Sequence, residues 1–276
     1  MPLNIPTFLT RAASSVVFVA IMLIGLLWTE WAFIGLFVMI SCLCMNEYFR
    51  LMTKIDPASY WPGWLKNSMV LISVLLICLF SLKPNQVTDD LIWNIGRLLP
   101  GIPAIILLVS VLGKKSSFMA WLQSLGGLLY ITVPVILLIQ MRMQGIVLPL
   151  AMIVMIWSND TMAYLMGSFF GKHSLSPVSP KKTWEGTIGG ALITIVAATV
   201  FGYFSNMFRL ADWIIIALIT TVAGTFGDLL ESKLKRMAEV KDSGNIMPGH
   251  GGALDRFDSL LIAAPFVFLY VNYFMR

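Results

Sequence analysis

Asp228 and Glu231 stand one helical turn apart in "GTFGDLLESKLKR", residues 224–236, and Lys235 follows on the same face if the helix runs on. Asp255 and Asp258 repeat the i, i+3 spacing where the last apolar run begins. Carboxylates this dense beside apolar sequence need a positive partner. Lys235 supplies one as a salt bridge; a bound divalent cation is the alternative. Oxygen donors without a His or Cys cluster suit hard magnesium better than zinc. Between the two acidic pairs, "KDSGNIMPGHGGA", residues 241–253, places Lys241, Asp242 and His250 among glycines and Pro248. Such a loop, with Gly251 and Gly252, lets backbone N–H groups approach an anion.

Two earlier stretches carry the remaining polar chemistry. In "SPVSPKKTWEGTIGG", residues 176–190, Lys181 and Lys182 precede a helix that Thr183 can cap and Glu185 can enter. Two lysines at a helix N-terminus suit a polyphosphate, and Gly186, Gly189 and Gly190 form a ridge for close backbone approach. A positively charged loop leading into a packing helix is the structural alternative. In "WSNDTMAYLMGSFFGK", residues 157–172, Asn159 and Asp160 sit in or at the end of an apolar run. An ionisable group at that depth costs about 2.5–3.5 kcal/mol unless it faces a wet cavity or a partner. A helix-ending Asn-Asp pair at the interface is the alternative reading. Magnesium-holding carboxylates, clustered cations and a glycine loop together are the parts for transfer between phosphates. If the acceptor is itself a phosphate, its oxygen is already anionic, so the obstacle is charge repulsion rather than proton removal.

The elements that must position these residues are membrane spans. The 276-residue chain is 58% hydrophobic and 12% charged, against roughly 25% charged in soluble domains. Continuous apolar runs select helices over a barrel, so the expected fold is all-α and polytopic. Nine spans are expected, near 12–28, 31–48, 68–82, 98–112, 121–141, 146–168, 187–206, 211–231 and 257–274. They form a single membrane domain, 1–276, in which 1–150 is mostly structural and 151–276 carries the site. The first run is read as a retained span rather than a cleaved signal. Cys42, Cys44 and Cys78 lie inside apolar runs with no metal or disulfide spacing. With nine spans, only Lys83, Arg97, Arg142, Arg209 and Arg276 of the 19 Lys and Arg face away from the N-terminal side. The other 14 put the N-terminus and both motif-rich loops in the cytoplasm.

The stretch "SKLKRMAEVKDSGNIMPGHGGALDRFD", Ser232 to Asp258, resembles the signature of the phosphatidate cytidylyltransferases, or CDP-diacylglycerol synthases. "SPKKTWEG" at 179–186 and Asp-Thr-x-Ala-Tyr at 160–164 fit the same family. The resemblance implies that CTP and phosphatidate are converted to CDP-diacylglycerol and pyrophosphate, with magnesium, at the inner or another phospholipid-synthesising membrane. By position it makes Asp228 and Asp255 metal ligands, with Asp160 a third contributor; Glu231 joins the expected ligands through its spacing to Asp228. Asp228, Asp255, Lys241 and Arg256 are the expected catalytic set. Lys181, Lys182, Ser179, Arg236, Asp242, His250, Gly251, Gly252 and Asp258 are the expected substrate contacts. A second cation, potassium or magnesium, and a homodimer are left open, and no nucleic-acid partner is expected. Met247 and Ala253 replace the family's usual branched aliphatics, and Ser168 stands where a basic residue is common. The rival readings are a CTP-dependent polyprenol or phytol kinase, a CDP-archaeol synthase, and an ion-coupled transporter using Asp160, Asp228 and Glu231.

Overall fold

Lipid offers no partner to a free N–H or C=O, and the chain meets that demand with helices. The computed structural model describes residues 5–59, 61–82, 115–246 and 251–275, with side chains at 16–59, 61–82, 119–246 and 251–275. The helices are α1 (Ile5–Leu27), α2 (Glu30–Ile55), α3 (Gly63–Phe80), α4 (Lys115–Gly127) and α5 (Val133–Gln144). They continue as α6 (Val147–Phe170), α7 (Trp184–Ser205), α8 (Leu210–Met237) and α9 (Leu254–Tyr273). A π-helical turn, Leu128–Thr132, joins α4 to α5 in one rod. The fold is all-α and built for a membrane, with one addition that the sequence reading took for a plain loop. Strands β1 (Ser174–Ser176) and β2 (Ser179–Thr183) form an antiparallel hairpin ahead of α7.

Among the described residues six rods are long and apolar enough to cross a membrane: α2, α3, Met119–Gln144, α6, α7 and α8. The expected count of nine is not confirmed by these six. In α1 the described apolar part is Val16–Leu27, which is shorter than a span. In α9, Arg256, Asp258 and Asn272 dilute the apolar stretch. The expected span at 98–112 lies outside the described residues.

The chain divides into two compact units, Met1–Gln140 with Ser243–Ala253 and Met141–Asp242 with Leu254–Arg276. In the first, Phe33, Phe37, Met45, Phe49 and Leu51 of α2 form a buried stripe. A polar triad crosses this apolar packing: Ser41 Oγ lies 2.9 Å from Ser73 Oγ, which also accepts from Thr132 Oγ1 at 2.8 Å. All three are fully buried, and such bonds hold helices together where no water competes. The Tyr48 hydroxyl donates to the Gln123 carbonyl at 2.9 Å, adding a link from α2 to α4.

The second unit holds α6 to α9 and the hairpin. Thr183 is the N-cap of α7, its hydroxyl accepting from Gly186 N–H at 3.1 Å. The glycine ridge then lets α7 approach α6 closely. A Cβ on Gly190 would fall 2.7 Å from Ala163 N, and one on Gly186 would fall 2.9 Å from Gly167 Cα. The 28 residues of α8 make about 42 Å of helix, longer than a hydrocarbon core of about 30 Å. Its polar C-terminal end, from Asp228 onward, therefore has room at the membrane surface.

Gly190→Leu should force α6 from α7 and cost about 1–3 kcal/mol or more, lowering the thermal midpoint of the detergent-purified protein. Gly35→Ala, which meets nothing within 4 Å, should leave that midpoint unchanged or slightly raised.

Candidate functional site

The C-terminal half of α8 and the first turn of α9 bring the acidic residues together. Gly227 makes this approach feasible, because a Cβ there would lie 2.5 Å from the Asp258 carbonyl oxygen and 3.0 Å from Ser259 Cα. Asp258 consequently sits beside Asp228 and Glu231, 6% exposed, and accepts from Ser259 N–H at 2.6 Å. Lys235 gathers two of the carboxylates. Its ammonium lies 2.5 Å from Glu231 Oε2 and 2.6 Å from Asp255 Oδ1. The Glu231 side chain has no exposed surface, and that of Lys235 is 14% exposed.

The hairpin brings the cations. A Pro177-Val178 turn joins its strands, with Ser176 opposite Ser179 and Ser174 opposite Thr183. Glu185, in the first turn of α7, closes the base: Oε2 accepts from Lys172 N–H at 3.1 Å and His173 N–H at 3.2 Å. Oε1 lies 2.6 Å from His173 Nδ1. This positions Lys181 and Lys182 at the end of β2, and Lys182 forms an ion pair with Asp228. Arg236 Nε reaches the Val178 carbonyl at 3.5 Å, so α8 touches the hairpin turn.

These elements surround a pocket of about 560 Å³ whose wall includes Asp160, Ser179, Lys181, Lys182, Asp228, Asp255 and Asp258. Lys182 and Arg256 attract Asp160, and Asp228 repels it. Seven of the residues expected from the sequence thus share one cavity. Glu231 does not join the wall; it is buried behind it against Lys235. Arg256, Lys241 and Asp242 are exposed. Gly251 and Gly252 belong to the first unit, and His250 lies outside the described residues, as does Met247. The wall also includes Asn159, Tyr164, Gly167, Ser168, Thr187, Thr225 and Ser259. Asn159 is 6% exposed, and its Oδ1 has no hydrogen-bond partner among the described residues. Ser168, standing where a basic residue was expected, donates to the Tyr164 carbonyl at 2.7 Å.

The wall sets four carboxylates against two lysines, and Glu231 and Lys235 behind it leave the formal surplus at two negative charges. The donors are hard oxygens, which suit a divalent cation such as magnesium. Among the described residues no three His, Cys, Asp or Glu converge closely enough to enclose a metal. Magnesium fits on those terms, since it is commonly held by one or two carboxylates with water and substrate phosphates completing its shell.

The sequence profile described as the Cytidylyltransferase family matches residues 9–274. The chain belongs to the cytidylyltransferase family. Among its relatives is a phosphatidate cytidylyltransferase of Haemophilus influenzae, 44% identical over 138 residues, 48% of either chain. One from Staphylococcus saprophyticus is 41% identical over 165 residues, 58% of this chain and 63% of that one. One from Bacillus subtilis is 48% identical over 123 residues, 44% of this chain and 46% of that one. The chain thus spans about half to three-fifths of the length of the curated relatives it matches. Within this member of the family the hairpin, the Lys182–Asp228 pair and the Lys235 bridge are the groups that shape the pocket.

Lys235→Ala should strand Glu231 and Asp255 without their cation and cost about 3–5 kcal/mol, read as loss of folded protein in a thermal-shift assay. Adding Glu231→Gln to that variant should recover part of the loss.

Proposed function

We propose that this chain converts CTP and phosphatidate to CDP-diacylglycerol and pyrophosphate, a step of phospholipid synthesis. The observation that carries the proposal is the charged pocket of about 560 Å³, a size suited to a small-molecule substrate, in a chain of the cytidylyltransferase family. The relatives named phosphatidate cytidylyltransferase support the choice of lipid.

An oxygen of the phosphatidate phosphate attacks the α-phosphorus of CTP. The new P–O bond forms as the bond from that phosphorus to the bridging oxygen of the β-phosphate breaks, and pyrophosphate leaves with the electron pair. The attacking oxygen is anionic, so the protein's work is to hold two anions together in line. Lys181 and Lys182, at the end of β2 and just before the α7 N-terminus, are placed to take triphosphate oxygens. Arg236 and Arg256 serve the remaining phosphate charge and Ser179 lines the pocket wall, while the family resemblance adds Lys241, Asp242 and His250 to the substrate contacts. Asp228 and Asp255 would hold magnesium, with Asp160 and Asp258 on the same wall. When bound, magnesium screens the two anions from each other and favours the charge building on the leaving pyrophosphate. The Lys and Arg distribution supports an N-terminus and hairpin at the cytoplasmic face of the inner membrane, where a soluble nucleotide meets a lipid headgroup.

Purified protein given radiolabelled CTP and phosphatidate should form CDP-diacylglycerol with one pyrophosphate per turnover, and chelating magnesium should stop it. Release of CDP instead would assign a lipid kinase, and ion flux without CTP turnover a transporter. Asp228→Asn and Asp255→Asn should each lower kcat by about 100-fold or more with folded yield preserved; near wild-type turnover in either would remove the metal assignment.

Lys182→Ala should raise the KM for CTP about tenfold, as loss of a charge-assisted hydrogen bond predicts, with unchanged topology by cysteine labelling. An inverted topology with unaltered KM would make Lys182 a topogenic charge only.

A further inference from the structure

Glu47 is an acidic residue in an apolar helix, α2, and is 2% exposed. A carboxylate so placed is costly to bury unless its oxygens find donors. Its donors come from the glycine loop, about two hundred residues away. Ser243 Oγ donates to Glu47 Oε2 at 2.6 Å, and Ala253 N–H donates to Oε1 at 3.0 Å. One carboxylate therefore ties the two described ends of the loop together, with residues 247–250 between them.

The glycines beside those bonds fit the same contact. A Cβ on Gly244 would strike Glu47 Oε1, and one on Gly252 would strike Oε2 as well as Ser243 Oγ. In both cases the obstructing carboxylate is buried and hydrogen-bonded, so moving it aside would break the Ser243 and Ala253 contacts. Gly251 is different. Its φ of 88° lies in the left-handed region, so glycine is favoured there by backbone conformation. Gly244 and Gly252 thus accommodate an internal carboxylate, whatever anion the loop approaches elsewhere.

We propose that Glu47 is a positioning residue that closes the glycine loop by clamping Ser243 and Ala253. Ala253 is two residues from Asp255, and Ser243 is two from Lys241, so the clamp fixes the chain at the points from which these side chains depart. The effect on turnover rests on the function proposed above; the clamp itself does not.

The test uses the full chain in lipid nanodiscs, with hydrogen–deuterium exchange on peptides covering 243–253 and turnover of CTP and phosphatidate on the same samples. Glu47→Ala should speed loop exchange about tenfold or more, as loss of buried hydrogen bonds predicts, without changing peptides from α6 and α7. Its kcat should fall, whereas Glu47→Gln should stay within about threefold of wild type in both readouts. Glutamine can accept from Ala253 N–H through its carbonyl while its amide donates to the Ser243 hydroxyl. Loop exchange unchanged in Glu47→Ala, or Glu47→Gln no better than Glu47→Ala, overturns the proposal. If Glu47→Ala yields no folded protein, Ser243→Ala replaces it, with faster loop exchange supporting the clamp and unchanged exchange overturning it. Wild-type protein that forms no CDP-diacylglycerol would defeat the reading of function while the exchange data still judge the clamp.

Discussion

Charge next to lipid has to be neutralised inside the protein, and the second unit is arranged around one instance of this. Lys235 lies 2.5 Å from Glu231 and 2.6 Å from Asp255, joining the end of α8 to the start of α9. Remove that ammonium and two carboxylates face each other in a medium that screens poorly. With it in place, the first turn of α9 can lie against Gly227, and Asp258 can stand next to Asp228. The acidic wall of the pocket depends on this bridge, although Lys235 and Glu231 are absent from the wall itself.

The cationic side is positioned by different means. The hairpin is small and its two strands would not persist alone in water. It is held by the caps of α7: Thr183 satisfies Gly186 N–H, and Glu185 receives the backbone of Lys172 and His173. The helix end and the strand pair therefore stabilise each other. Their joint product is the placement of Lys182 against Asp228.

Much of this could be read from local sequence. The Thr183 cap, the glycine ridge of α7 and the shared face of Glu231 and Lys235 are relations within a few residues, which helical periodicity exposes directly. The helices in the described parts of the chain follow the apolar runs for the same reason. What escaped is long in sequence separation or geometrically subtle. Lys182 and Asp228 are named by the same chemistry, but nothing in their spacing pairs them. Helical spacing sets Lys235 against Asp228 and Glu231; the structure keeps Glu231 and exchanges Asp228 for Asp255, a contact that needs the turn between α8 and α9. The hairpin is too short to show alternation, and Pro180 argues against a strand. Glu47, inside "SCLCMNEYFR", carries a single local signal, an ionisable residue at membrane depth.

The Lys182–Asp228 ion pair has a consequence for how ligands affect one another. Each member of the pair is the other's counterion, so an anion that draws off the ammonium leaves the carboxylate open to a cation, and a cation that takes the carboxylate frees the ammonium. Two ligands of opposite charge entering this pocket would then share a single disruption, made once and not twice. Linkage makes such an effect mutual: whatever factor one ligand adds to the affinity of the second, the second adds to the first. A lysine resting on an aspartate in this way neutralises both members of the pair before a ligand arrives and makes occupancy by a lone partner the disfavoured state.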